Sequence, residues 1–163
     1  CWELALNNQS GPSVLALTRQ GLPTLCPDRK ENLCAKGAYI LKETGGEPEV
    51  TLLASGSEVE IAHKAYEELS KDYKVRLISV PCMDLLWQQD EDYIKSLVCN
   101  QSLKIVVEAG VRQGWDQLTG GHGFFIGMDS FGASAPAGDL YKHFGITAET
   151  VVDAVKQRME KKG

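Results

Sequence analysis

Arg19 is the side chain best suited to hold an anion. It follows Ser13-Val14-Leu15-Ala16-Leu17-Thr18, a short, mostly apolar run that reads as a buried strand. Open α/β sheets place ligand-binding groups just beyond the carboxyl ends of their strands. A guanidinium there is planar, permanently charged and shaped to clamp a phosphate or a carboxylate. An ion pair between domains is the other use for such an arginine, and spacing alone leaves both open.

Ser55-Gly56-Ser57 joins a second apolar run to the start of a helix. Unpaired N–H groups at a helix start can hold a small anion. Neither GxGxxG nor a Walker lysine is present, and Glu58 and Glu60 would repel a negative ligand. Capping is the better account, with Ser57 and Glu60 spaced as a capping box. Glu108 ends a third apolar run and so belongs on the same rim, as a general acid/base or as a structural acceptor. His63, His122 and His143 lack metal-ligand spacing. His63 is expected on an exposed helix flank, and His122 in a glycine-rich loop. Ser55, Ser57 and Ser134 lack the G-x-S-x-G context of a nucleophile elbow. Trp2, Trp87 and Trp115 are too scattered to form a stacking platform.

The elements that must position these groups can be read in order. Cys1 to Leu6 reads as the end of a helix already under way, closed by the turn residues Asn7 to Pro12. Residues from about Gly21 to Gly37, with Pro23, Pro27 and the cluster Asp28-Arg29-Lys30-Glu31, read as a solvated linker. Strands are expected over Ala38–Glu43, Val50–Ser55, Lys74–Ser79 and Lys104–Glu108. A helix from Ser57 to Ser70 carries Val59, Ala62, Ala65, Tyr66 and Leu69 on one stripe. A shorter helix is expected from Gln89 to Val98. A last one starts near Thr147, buries Val151, Val152, Val155 and Met159, and ends in Lys156, Arg158, Lys161 and Lys162. Strand and helix alternate from residue 50 to residue 108, which implies an α/β fold with a parallel sheet.

The chain has 163 residues, 43% hydrophobic and 24% charged, an ordinary globular composition. A chain of this size hides roughly 70% of its unfolded surface, so it needs no metal or disulfide staple. Its net charge of −5 disfavours nucleic acid and anionic membrane as partners. No apolar run approaches the roughly 20 residues needed to span a bilayer. Cys1, Cys26, Cys34, Cys82 and Cys99 are odd in number and form no CxxC pair, which fits free thiols in a reducing, cytoplasmic compartment. A start at Cys1 inside a helix points to a piece of a longer protein.

Seven motifs in order resemble the C-terminal part of transketolases. They are Leu17-Thr18-Arg19-Gln20-Gly21-Leu22-Pro23, Ala54-Ser55-Gly56-Ser57-Glu58-Val59, Ser79-Val80-Pro81 and Val107-Glu108-Ala109. Ile126-Gly127-Met128, Phe131-Gly132-Ala133-Ser134-Ala135-Pro136 and Phe144-Gly145-Ile146-Thr147 complete the series. The Phe-Gly-x-Ser-Ala-Pro element separates transketolase proper from deoxyxylulose-phosphate synthase and from the β subunits of 2-oxoacid dehydrogenases.

The resemblance implies a three-layer α/β domain with a mixed, mostly parallel sheet and helices on both faces. It places residues 1–25 at the end of the middle, pyrimidine-binding domain, 26–37 in a linker and 38–163 in the C-terminal domain. The implied enzyme is a homodimer of the pentose phosphate pathway. It moves a two-carbon ketol unit between sugar phosphates, using thiamine diphosphate and magnesium or calcium. Arg19 aligns with the arginine that grips the sugar phosphate; Gly21 stands where asparagine is usual. The family's cofactor, metal and activating-glutamate motifs are absent from these residues, so the chain alone is expected to be inactive. The rival expectation is a non-catalytic assembly or regulatory module, with a small anion held at Ser55, Gly56 and Ser57.

Overall fold

Val50–Ala54 (β2) is the centre of the structure, and every residue in it is buried. The computed structural model describes residues 1–26, 28 and 30–161. Pro27 and Arg29 of the expected linker, and Lys162 of the cationic C-terminal end, lie outside the described residues. The chain runs α1 (Trp2–Asn7), β1 (Tyr39–Glu43), β2, α2 (Glu58–Leu69), β3 (Val75–Ser79), α3 (Met83–Leu86) and α4 (Glu91–Leu97). It continues through β4 (Leu103–Val107), α5 (Trp115–Thr119), β5 (Phe124–Ile126), α6 (Ala137–His143) and α7 (Ala148–Glu160).

The sheet order is β1-β3-β2-β4-β5. Only β1 runs antiparallel, along the β3 edge; the other pairings are parallel. The sheet is therefore mixed and mostly parallel, as the resemblance implied. Period-two alternation divides the central strands between two cores. Leu52, Leu77, Ile105 and Val107 face α2 and α7, while Leu53, Ile78 and Val106 face α3, α4 and α5. A strand buried on both sides must be apolar throughout, which is why these runs show in the sequence without alternation. The exception within β2, Thr51, is fully buried and hydrogen-bonds Ser102 Oγ at 2.8 Å; Arg76 of β3 and Lys104 of β4 are only partly buried.

Helix ends are secured locally. Asp90 accepts from the Tyr93 N–H at the start of α4, and Thr147 accepts from the Thr150 N–H at the start of α7. Arg76 pairs with Glu43 and donates to the carbonyls of Ser96 and Leu97, closing the carboxyl end of α4.

Four expectations need correction. Ser13–Thr18 forms no strand: Val14 is 92% exposed and Leu17 68% exposed. A strand needs a neighbour for its N–H and C=O groups, and the described residues supply none. The expected linker is not wholly solvated. Leu33–Lys36 forms a 3₁₀ turn beside α3, and Gly37 is wedged against the backbone of residues 82–86. The capping box at Ser57 does not form. Ser57 has helical dihedrals rather than the extended ones a cap requires, its hydroxyl turns to Glu58, and Glu60 pairs with Lys64. Finally, His63 is buried, because the small side chains of Ala62 and Ala65 sit where α2 packs against α7 and the sheet.

His63 Nε2 has no partner among the described residues. Burial, reinforced by Lys42 and opposed by Glu67, holds the imidazole below its usual value of 6.5. The unfolded chain therefore takes up this proton more readily than the folded one. The contribution is intact above pH 6.5 and is lost as pH falls through the lower folded value. Urea melts between pH 7.5 and 5 are expected to show declining stability, and His63→Leu to flatten that slope. His63→Leu should also gain about 1 kcal/mol at pH 7 by removing an unsatisfied buried nitrogen.

Candidate functional site

Residue 54 of β2 pairs in parallel register with residue 107 of β4. Their successors, Ser55 and Glu108, consequently leave the sheet side by side at its carboxyl rim. Ser55 Oγ donates to Glu108 Oε2 at 2.5 Å. The turn continues through Gly56, whose φ of +50° is one that L side chains rarely adopt, and enters α2. Ser57 Oγ then donates to Glu58 Oε1 at 2.8 Å. Glu58 is 5% exposed and also accepts from the Tyr141 hydroxyl on α6, which lies 3.0 Å from Ser57 Oγ.

These groups line a cleft of about 810 Å³ at the sheet rim. Thr18, Arg19 and Gln20 line it, as do Gly132, Ala133, Ala135 and Pro136 and residues of helix α6. The structure thus brings Arg19, Ser55, Gly56, Ser57 and Glu108 into one cavity, though they lie far apart in the chain. His122 is not among them. It is exposed and borders a separate groove at the opposite end of β4, with Lys104 and Arg158. His63 is packed on α2, and His143 meets Phe144 edge-on at 4.8 Å.

The electrostatics of the cleft are asymmetric. Arg19 is an exposed cation at its mouth. Glu108 lies at its base with its affinity for protons raised, first by burial and then by repulsion from Glu58, against the opposing Ser55 hydrogen bond. The Tyr141 phenol is also pushed upward, chiefly by burial and by its bond to Glu58. Such a cleft offers an anion one charged fork at its entrance and repels it deeper in. The hydroxyls of Ser55 and Ser57 are already directed at carboxylates.

Among the described residues, no group of three or more His, Cys, Asp or Glu could hold a metal ion. No described helix is long and apolar enough to cross a membrane.

Residue spacing had pointed to Arg19, the Ser55–Ser57 turn and Glu108, but not to Glu58, Tyr141 or Gln20. Tyr141 stands 84 residues from Ser57, and no local pattern marks it. The parallel register of β2 and β4 was the available signal for the Ser55–Glu108 pair.

Fold, rim and cleft define a transketolase-like α/β C-terminal domain. The family model described as "Transketolase-like TK C-terminal domain" matches residues 37–147, and the chain belongs to that family. The transketolase of Sinorhizobium medicae is 49% identical over 155 residues, covering 93% of this chain and 22% of that protein. Transketolase from Leishmania mexicana superposes with a TM-score of 0.70 at 37% identity, over 77% of this chain and 18% of that one. A Pichia stipitis transketolase in complex with sedoheptulose 7-phosphate superposes with a TM-score of 0.67 at 27% identity, over 76% and 18%. The chain spans about a quarter or less of the length of the curated relatives it matches.

Proposed function

We propose that these residues serve as the C-terminal part of a transketolase, with Arg19 binding the phosphate of its sugar substrates. The observation that carries this is the position of Arg19: a cation at the mouth of the cleft on the sheet's carboxyl rim. The sugar phosphate bound by the Pichia relative supports a phosphorylated ketose as ligand. The complete enzyme transfers a ketol unit between a ketose phosphate and an aldose phosphate. Thiamine diphosphate with magnesium or calcium supplies the carbon–carbon chemistry from residues outside this chain.

The division of labour is physical. A guanidinium that grips the phosphate tail fixes the distance from that tail to the reacting carbonyl. Binding energy far from the bond being broken is thus converted into orientation. Residues 1–25 belong to the end of the middle domain, 26–37 connect, and 38–163 form the C-terminal domain. The exposed apolar side chains of Trp2, Leu6, Val14 and Leu17 fit burial against the rest of that middle domain. The enzyme works as a homodimer in the cytoplasm, within the pentose phosphate pathway.

The direct test is ketol transfer by the complete enzyme with and without Arg19. A second test uses the 163-residue chain by itself. Titration calorimetry with thiamine diphosphate and Mg²⁺ is expected to give no saturable heat. Tight binding there would overturn the assignment of the cofactor site to other residues.

A further inference from the structure

The groove at the opposite end of β4 from Arg19 is a cavity of about 550 Å³, a size that suits a metabolite. Residues 100–104 line it at the start of β4, whereas Glu108 and Ala109 line the Arg19 cleft beyond the end of that strand. Lys95, Lys104, His122 and Arg158 border the groove, and no described Asp or Glu does. The chain carries 22 acidic residues against 17 basic, so this lining runs against the charge of the whole molecule. A concave surface of one sign focuses the field and concentrates ions of the other.

The sheet register gathers two of these cations. Lys104 precedes Ile105, and Ile105 pairs in parallel with Phe124 of β5. The guanidinium of Arg158, from α7, lies over the Phe124 ring at 3.4 Å. Arg158 also donates from one terminal nitrogen to the Ala154 carbonyl at 3.1 Å. Both partners are uncharged, so they orient the arginine without neutralising it, and its other N–H groups can serve a ligand. Lys104 Nζ donates to the Asn100 carbonyl at 3.3 Å. Lys95 pairs with Glu91 at 2.9 Å, but the two side chains are 62% and 83% exposed, so that pair is weak and yields readily to another anion.

We propose that this groove is a second anion-binding site, separate from the substrate cleft, for a small metabolite with two or more phosphate or carboxylate groups. Arg158 supplies a planar fork, and Lys104 and Lys95 supply point charges on flexible stems. These cations come from α7, β4 and α4, so a ligand with several anionic groups can engage more than one of them. The site does not depend on the role given to Arg19.

The experiment titrates inorganic pyrophosphate, and citrate in a parallel series, into the complete enzyme by calorimetry. Thiamine diphosphate and Mg²⁺ are held in excess, so that the cofactor's own site is already filled. Saturable binding of at least one probe is expected, and Arg158→Gln is expected to weaken it about 10-fold, the loss of one charge-assisted contact. Lys104→Gln should weaken it similarly, and it carries the test if Arg158→Gln folds poorly. Arg19→Ala should leave the affinity unchanged. Tighter binding of pyrophosphate marks the ligand as phosphorylated; tighter binding of citrate marks it as a polycarboxylate. Absence of saturable heat with both probes overturns the site. So does a heat that survives both groove substitutions, or one that disappears with Arg19→Ala and therefore belongs to the substrate cleft.

Discussion

Replacing Arg19 with alanine in the complete enzyme is expected to raise KM for phosphorylated ketoses about 10- to 150-fold. The figure follows from losing one charge-assisted hydrogen-bond partner, worth about 1.5–3 kcal/mol. kcat should change less than KM, because the phosphate contact exists before and after the chemical step, so its loss weakens both states alike. An unphosphorylated ketose serves as the internal control, since it has nothing for the guanidinium to grip. Arg19→Lys should recover part of the loss: the charge remains, but the planar fork that can meet two phosphate oxygens does not. Arg19 is exposed at the cleft mouth, so the wild-type KM should also climb with ionic strength. Steady-state assays at two salt concentrations test both statements. A KM that ignores the substitution would leave Arg19 with the structural role that spacing alone also allowed.

The central layer was legible because its physics is local. β2, β3 and β4 are largely buried on both faces, so each appears as a mostly apolar run without period-two alternation, interrupted at Thr51, Arg76 and Lys104, and α2 and α7 show their buried stripes at helical spacing. α5 and β5 were not read. They are five and three residues long and flank a glycine-rich turn, and tertiary contacts rather than periodicity create them. The α6 segment, Ala-Gly-Asp-Leu-Tyr-Lys-His, buries no residue, so it carries no stripe to detect. Ser13–Thr18 misled in the opposite way. It has the composition of a strand, but pairing is a property of two chain segments, and only one is described here.

The cleft repeats that division. Glu108 was visible because it ends a buried strand, and such ends gather on one rim; Arg19 ends an apolar run that forms no strand, so it reached the cleft without the reason the sequence offered. The bonds that organise the rim cross long sequence distances, such as Ser55 to Glu108 and Tyr141 to Glu58. Ser57 shows how a local rule loses to such a contact. Capping needs the Ser57 oxygen to accept from a backbone N–H in extended geometry; here the residue is helical and its hydroxyl sits between the Glu58 carboxylate, to which it donates, and the distant Tyr141 hydroxyl.

Gly37→Ala is expected to be more damaging than Gly45→Ala, at about 2–6 kcal/mol. Two costs add. At φ +77° an L residue is strained, and the added methyl overpacks its surroundings; each costs about 1–3 kcal/mol. A Cβ on Gly37 would stand 2.1 Å from the Leu86 nitrogen and 2.5 Å from the Cys82 carbonyl oxygen. Both are backbone atoms, so no side-chain rotation relieves the overlap. The displaced segment also carries the bond from the Cys82 N–H to the Gly37 carbonyl, and leads into fully buried Ala38 at the start of β1. Gly45→Ala separates the two costs. Gly45 has φ +91° but nothing within 4 Å of its Cβ position, so it should lose only about 1–2 kcal/mol of backbone strain. At about 2–4 °C per kcal/mol for a domain of this size, Gly37→Ala should lower Tm by about 10 °C and Gly45→Ala by a few degrees. Equal shifts in calorimetric melts of the two variants would show that backbone conformation, not the close approach of residues 82–86, is what requires glycine at position 37.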